Sequence, residues 1–167
     1  MSLKKVYLSL GSNLGNREQN LQRGLDALER EHIRILARSA IYETEPQDMP
    51  NQPWFLNLAA ECETQCFPLQ LLAVLHKIER EAGRIRGAET LRKGPRVLDI
   101  DILLFGNAVM NTPQLTIPHP RMLQRRFVLE PLVEIAPDLR HPVTKESFSK
   151  YLVSVASQRV TRLYAAP

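Results

Sequence analysis

The segment "GPRVLDIDILLFG", residues 94–106, decides how the chain is read. From Val97 to Phe105 it has the β-branched and long aliphatic content of a buried strand, yet Asp99 and Asp101 sit in its middle. Alternate residues of a strand share a face, so Leu98, Ile100, Ile102 and Leu104 are expected on one side and the two aspartates on the other. With a rise of ~3.3 Å per residue, the aspartates stand ~7 Å apart at Cα. One face is core; the other presents two carboxylates.

The elements before this strand set its context. Val6 to Leu10 alternate as a strand and run into "GSNLGN", which ends at Asn16, a good N-cap for a helix whose face carries Leu21, Leu25 and Leu28. Ile33, Ile35, Ala37, Ser39 and Ile41 fall on one side of a second strand. The three prolines between Thr44 and Pro53 make that stretch a loop. Phe55 to Glu63 is a third strand, and Pro68 opens a second helix with Leu71, Leu72, Leu75, Ile78 and Ala82 on its apolar side, ended by Gly83. The order is β-α-β-β-α-β, so the expected class is α/β (α+β) with a ferredoxin-like core. A C-terminal extension of strand and helix should follow, with helices near Phe127–Ile135 and Glu146–Val155.

A chain of 167 residues, 44% hydrophobic, fits a single domain over residues 1–167. It has no run of ~18 apolar residues and no signal-peptide core, so a soluble, cytoplasmic protein without membrane partners is expected. Cys62 and Cys66 lack the spacing and companions of a zinc site and read as free thiols. The net charge of +4 favours anionic partners, either nucleic acid or a phosphorylated small molecule. Basic residues gather at Arg84, Arg86, Arg92, Lys93 and Arg96, and again at His119, Arg121, Arg125 and Arg126.

Two carboxylates that close raise each other's pKa unless a cation neutralises them, and Mg²⁺ accepts such oxygens together with phosphates and water. The other reading is a solvated strand face paired with lysines or arginines. The flanking arginines favour the first, because carboxylates that hold Mg²⁺ beside guanidiniums that grip phosphate are the parts of phosphoryl transfer. "GSNLGN" lacks the lysine and spacing of a phosphate loop and reads as a strand-to-helix turn. His76 and Glu79 share a helix face that could equally be solvated surface.

Together, "LSLGSNLGNREQNL", "YETEP", "FLNLAAECET", "GRIR", "GPRVLDIDILLFG", "IPHPRM" and "RRFVLEPLVEIAPDL" resemble the 6-hydroxymethyl-7,8-dihydropterin pyrophosphokinases of folate biosynthesis. The resemblance implies transfer of the pyrophosphoryl group of ATP to the pterin hydroxymethyl oxygen, with two Mg²⁺ ions. It implies Asp99 and Asp101 as metal ligands, with Asp99 also near the pterin and Asp101 as a candidate acceptor of the hydroxyl proton. Arg96 matches the signature arginine, and Arg84 and Arg86 match arginines of a mobile loop over the triphosphate. His119 and Arg125 resemble phosphate contacts, and His76, Glu79, Ile102 and Thr116 align with positions near the nucleotide. For the pterin it points to Thr44, Glu45, Gln47, Phe55, Asn57 and Phe127, which suits a flat heterocycle that needs aromatic faces and an amide.

The chain departs from the family pattern at Lys93, where many members carry tryptophan, at Pro120, often tyrosine, and in a somewhat longer stretch from Gly87 to Lys93. Small-molecule partners, no nucleic acid and a monomer are expected. The alternative is a non-catalytic ferredoxin-like module that binds RNA or protein.

Overall fold

The computed structural model describes residues 2–46, 51–83 and 96–164. Strand β1 (Lys4–Ser12) is buried from Val6 onward, as befits an interior strand of the sheet. Helix α1 (Arg17–Arg30) follows, capped as expected by Asn16, whose Oδ1 accepts from the Gln19 N–H at 3.1 Å. Then come β2 (Arg34–Arg38), β3 (Ile41–Thr44), β4 (Phe55–Thr64), α2 (Pro68–Ala82) and β5 (Asp99–Phe105). A small hairpin, β6 (Met110–Asn111) and β7 (Thr116–Ile117), precedes α3 (Arg126–Ile135). The chain closes with a 3-10 helix (Phe148–Val155) and strand β8 (Val160–Tyr164). The sheet order is β5-β1-β4-β3-β8, with β2 on the other half of β4, and its pairings are antiparallel. This is the ferredoxin-like arrangement with one added strand at its edge.

The two sheet faces have different fates. On one, Val6, Leu8, Leu10, Leu58, Ile100 and Ile102 pack against Leu21, Leu25 and Leu28 of α1 and Leu71, Leu75 and Ile78 of α2. On the other, α3 and the 3-10 helix cover only part of the sheet, through Tyr7, Leu103, Leu104, Leu129, Leu132 and Phe148. Leu104 thus lies on the face opposite to the one its alternation assigns. The cause is a bulge in the β1–β5 pairing between Tyr7 and Leu8, which takes up an extra residue and reverses the alternation near Leu103. Phe105 returns to the helix side. Cys62 and Cys66 are free thiols, and among the described residues no helix is long and apolar enough to cross a membrane.

The expected single strand from Ile33 to Ile41 is two, β2 and β3, broken at Ser39 and Ala40. Ser39 is fully buried and occupies the break with its own side chain. Its N–H donates to the Ala59 carbonyl at 2.9 Å, its Oγ accepts from the Ala59 N–H at 2.9 Å, and the hydroxyl donates to the Ala40 carbonyl at 2.7 Å. The freed Ala40 N–H donates to Glu134 of α3 at 2.9 Å, and the Tyr42 hydroxyl donates to the same carboxylate at 2.6 Å. The break therefore docks α3 onto the sheet. The last predicted helix, Glu146–Val155, is instead 3-10 and begins at Phe148, whose fully buried ring fixes it to the sheet side.

Ser39→Ala removes the acceptor for a buried Ala59 N–H, so a loss of about 1–3 kcal/mol is expected in urea unfolding, with an unchanged denaturant slope. A loss below about 0.5 kcal/mol would show that the β2–β3 break does not depend on the hydroxyl.

Candidate active site

β5 lies at the sheet edge, and the face that α3 leaves open carries Asp99 and Asp101. Their cross-strand partners on β1 are Gly11 and Ser9, which in turn pair with Asn57 and Ala59 of β4. Two cavities meet at the aspartates. The smaller, about 110 Å³, is lined by Ser9, Gly11, Thr44, Glu45, Gln52, Phe55, Asn57, Arg125 and Phe127 as well as the pair. The larger, about 520 Å³, is lined by the same pair with Arg96, His76, Glu79, Ile102, Thr116, His119 and the hairpin around Thr112 to Leu115.

In the smaller cavity, Asn57 is almost wholly buried, and its Nδ2 donates to Thr44 Oγ1 at 2.7 Å, which fixes the amide's orientation. Gly11 lies beneath it, where a Cβ would stand 2.6 Å from Asn57 Oδ1; only glycine leaves that oxygen room. Phe55 and Phe127 supply aromatic surface, and the Arg125 guanidinium lies 5.3 Å from the centre of the Phe127 ring. Glu45 is held by a two-way backbone bridge: its N–H donates to the Arg159 carbonyl at 3.1 Å, and its Oε1 accepts from the Arg159 N–H at 2.9 Å.

On the other side, two contacts close the outer edge of β5. Glu79 Oε2 accepts from the Ile100 N–H at 2.7 Å, and the His119 N–H donates to the Leu103 carbonyl at 2.9 Å. Glu79 is therefore not free surface: it ends the strand's unpaired edge and brings a third carboxylate to the pair. His119 Nδ1 accepts from the Arg121 N–H at 3.1 Å, leaving its proton on Nε2, which stands 3.9 Å from Asp101 Oδ2. Thr116 Oγ1 donates to Asn111 at 3.3 Å within the hairpin, His76 is exposed at the rim, and Ile102 is mostly core.

The family model described as 7,8-dihydro-6-hydroxymethylpterin-pyrophosphokinase matches residues 7–137. The chain belongs to this family. It is 46% identical over 141 residues to the 2-amino-4-hydroxy-6-hydroxymethyldihydropteridine pyrophosphokinase of Pseudomonas aeruginosa, covering 84% of this chain and 85% of that one. The Bacillus subtilis protein of the same name is 41% identical over 156 residues, covering 92% and 91%. The folic acid synthesis protein fol1 of Schizosaccharomyces pombe is 43% identical over 164 residues, 98% of this chain but 22% of that one. The chain thus spans about a fifth of the length of such fungal relatives. A crystal structure of Plasmodium falciparum HPPK-DHPS shares the fold, with a TM-score of 0.72 at 15% identity over 93% of this chain and 46% of that one.

This member of the pyrophosphokinase family holds its carboxylates under strong electrostatic pressure. Burial, with the charge of Asp99, pushes the Asp101 carboxyl up to about 7, against the pull of Arg125 and Arg96. Its side chain keeps 35% of its exposure, but that surface opens onto the two cavities. Burial pushes Glu79 up to about 8, with Asp99 and Asp101 adding to the effect and the Ile100 hydrogen bond opposing it. Burial, Arg125 and Arg121 push His119 down to about 4, so its imidazole is neutral at pH 7.

The structure brings together Thr44, Glu45, Phe55, Asn57, Asp99, Asp101, Arg125 and Phe127 around one cavity and His76, Glu79, Arg96, Ile102, Thr116 and His119 around the other. Gln47, Arg84 and Arg86 lie outside the described residues, as does the stretch from Gly87 to Lys93. Arg126 does not join the basic cluster. Its Nε donates to Glu130 at 2.8 Å and its Nη1 to the Gln158 carbonyl at 2.8 Å, so it ties α3 to the chain's last turn.

Two contributors escaped the sequence reading. Ser9 faces the smaller cavity opposite Asp101. Asn13, almost wholly buried, brackets Arg96: its N–H donates to the Arg96 carbonyl at 2.9 Å and its Oδ1 accepts from the Arg96 N–H at 2.6 Å. Its Nδ2 donates to Gln52 Oε1 and to the Pro53 carbonyl, both at 2.9 Å. "GSNLGN" is thus a turn, as expected, and also the anchor of Arg96.

An acid whose folded pKa is raised binds its proton more tightly when folded, so its contribution to stability is complete below its unfolded value and lost as pH rises through the folded one. For Asp101 and Glu79 that window runs from ordinary values of 3.8 and 4.5 to about 7 and about 8. Asp101→Asn is therefore expected to melt above the parent at pH 8 in metal-free buffer, with the gap closing towards pH 4. A gap that does not change with pH would contradict the assigned pressure on the carboxylates.

Proposed function

We propose that the chain transfers the β,γ-pyrophosphoryl group of ATP to the hydroxymethyl oxygen of 6-hydroxymethyl-7,8-dihydropterin, releasing AMP. One observation carries the reading: Asp99 and Asp101 form the wall shared by two cavities of different character. The smaller has aromatic sides and a fixed amide, which suit a pterin. The larger has an arginine, a neutral imidazole and room for a nucleotide, so the carboxylates stand where the transferred group must cross. In this reading the active species is a monomer.

The residues present fit Mg²⁺ on the chemistry of the donor set. Among the described residues no group of three or more His, Cys, Asp or Glu side chains forms a metal cage. Two hard carboxylates without further protein ligands suit an ion that completes its octahedron with water and phosphate oxygens. Asp99 and Asp101 would hold two such ions, and the ions would supply neutralisation of the triphosphate charge.

The chain's own groups do the rest. Arg96, held by Asn13, and Arg125, held over Phe127, would bind phosphate oxygens. His119 would donate from Nε2. Arg84 and Arg86 would close over the triphosphate, and Gln47 would complete the pterin edge begun by Thr44, Glu45 and Asn57. The hydroxymethyl oxygen attacks the β-phosphorus, the bond from that phosphorus to the α,β-bridging oxygen breaks, and the oxygen leaves on AMP. Asp101 would accept the alcohol's proton.

A non-catalytic RNA-binding module finds no support in this geometry, because the open sheet face presents paired carboxylates where a phosphate backbone requires cations. Product analysis with reduced 6-hydroxymethylpterin and Mg·ATP tests the proposal: AMP is expected, whereas ADP would indicate a simple kinase and free pyrophosphate a nucleotidyl transferase. Asp99→Asn and Asp101→Asn should each slow turnover by at least ~100-fold, about 2.7 kcal/mol of barrier, without loss of fold. Near-normal rates in both would make the pair structural. Asn57→Ala should weaken pterin binding far more than ATP binding, since it leaves heterocycle edges unpaired in a desolvated slot; equal losses would remove Asn57 from the pterin site.

A further inference from the structure

Arg125 reaches the smaller cavity from an awkward place. It sits in extended backbone, φ −122° and ψ 107°, between the 3-10 turn Met122–Gln124 and the first turn of α3, and no side chain of its own caps that helix. Its own backbone is bonded within the junction, the N–H to the Met122 carbonyl at 3.4 Å and the carbonyl from the N–H groups of Val128 at 3.1 Å and Leu129 at 3.0 Å, and the groups on either side of it are gripped from elsewhere in the chain. The grip comes from Gln158, 32 residues beyond Arg126. Its Oε1 accepts from the Arg126 N–H at 2.8 Å, and its Nε2 donates to the Gln124 carbonyl at 2.7 Å. One side-chain amide thus spans the two backbone groups that flank Arg125.

The same turn is fastened twice more to the helix start, by Arg126 Nη1 to the carbonyls of Gln158 at 2.8 Å and Ala156 at 3.2 Å. Gln158 lies beyond residues 7–137, where the chain matches its family model.

We propose that Gln158 is a positioning residue for Arg125: its amide sets where the guanidinium stands over Phe127 and beside Asp101, and so tunes the transfer without touching substrate. The inference rests on the reading of Arg125 as a phosphate-binding group of the pyrophosphoryl-transfer site. A longer or shorter side chain at 158 would shift the α3 start, and a misplaced phosphate-binding group costs both nucleotide affinity and rate.

A double-mutant cycle separates positioning from mere support. Gln158→Ala is compared with the parent and Gln158→Ala/Arg125→Ala with Arg125→Ala, all well below their melting points, following AMP release and, separately, the Kd of a non-hydrolysable ATP analogue with Mg²⁺. If Gln158 acts through Arg125, its removal should cost about 10-fold in turnover in the parent and less than about twofold once Arg125 is gone. Gln158→Glu keeps the acceptor for Arg126 but loses the donor to Gln124, and should fall between parent and alanine. Glu130→Gln weakens the ion pair with the Arg126 side chain but leaves both contacts of the Gln158 amide in place, and should leave turnover near that of the parent.

Equal losses in both backgrounds, or no loss in the parent, would overturn the proposal. A parent that forms no AMP would instead overturn the functional reading, and the Kd cycle would still decide the role of Gln158: coupling to Arg125 supports it and additivity refutes it.

Discussion

The alternation of side chains along β5 is the constraint on which the site depends. Ile100 and Ile102 are each about 3% exposed in the core beneath α1 and α2, and burying such side chains stabilises the fold by roughly 1.5–3 kcal/mol apiece. A one-residue slip of the strand would put two carboxylates into that core and two isoleucines into water. The mutual repulsion of Asp99 and Asp101 is thus held in place by hydrophobic burial on the opposite face. The bulge that displaces Leu104 lies beyond the pair, so the register at the aspartates is untouched.

Closing the sheet edge and building the site are done by the same contacts. β5 has one neighbouring strand, and its outer edge would otherwise offer unpaired backbone groups to any passing chain. Glu79 takes the Ile100 N–H and the backbone of His119 takes the Leu103 carbonyl. Each closure delivers a functional group: a third carboxylate from α2, and an imidazole whose proton faces Asp101. The accumulation of negative charge that follows is relieved by protonation, towards which the carboxyls of Asp101 and Glu79 are pushed, or by cations, which is why an edge strand with this composition suits a centre for polyphosphate.

Much of this was legible in the sequence because it follows from period and punctuation. The βαββαβ order, the Asn16 cap, the helix end at Gly83 and the two faces around Asp99 and Asp101 all come from local patterns that tertiary contacts reinforce. What stayed hidden depends on distant partners. Ser39 looks like an ordinary inward strand residue until Ala59 is opposite it, and Asn13 is one turn residue among several until Arg96, 83 positions away, is beside it. Arg126 adjoins Arg125 in sequence and diverges from it in space, because Arg125 is in extended backbone and Arg126 is the first residue of α3. Gly11 reads in the sequence as the start of a turn, whereas β1 runs on through Ser12 and the glycine makes room for the close approach of the Asn57 oxygen.

That glycine has a consequence for how ligands are discriminated. With no side chain at Gly11, the floor under Asn57 is bare backbone of paired strands, whose spacing of about 4.8 Å is set by hydrogen bonds and does not adapt. The floor of the smaller cavity is therefore set by the sheet before any ligand enters, and little ordering entropy remains to be lost there. A stiff planar ring should gain most from such a surface, and a puckered ring of the same polarity should be rejected by shape.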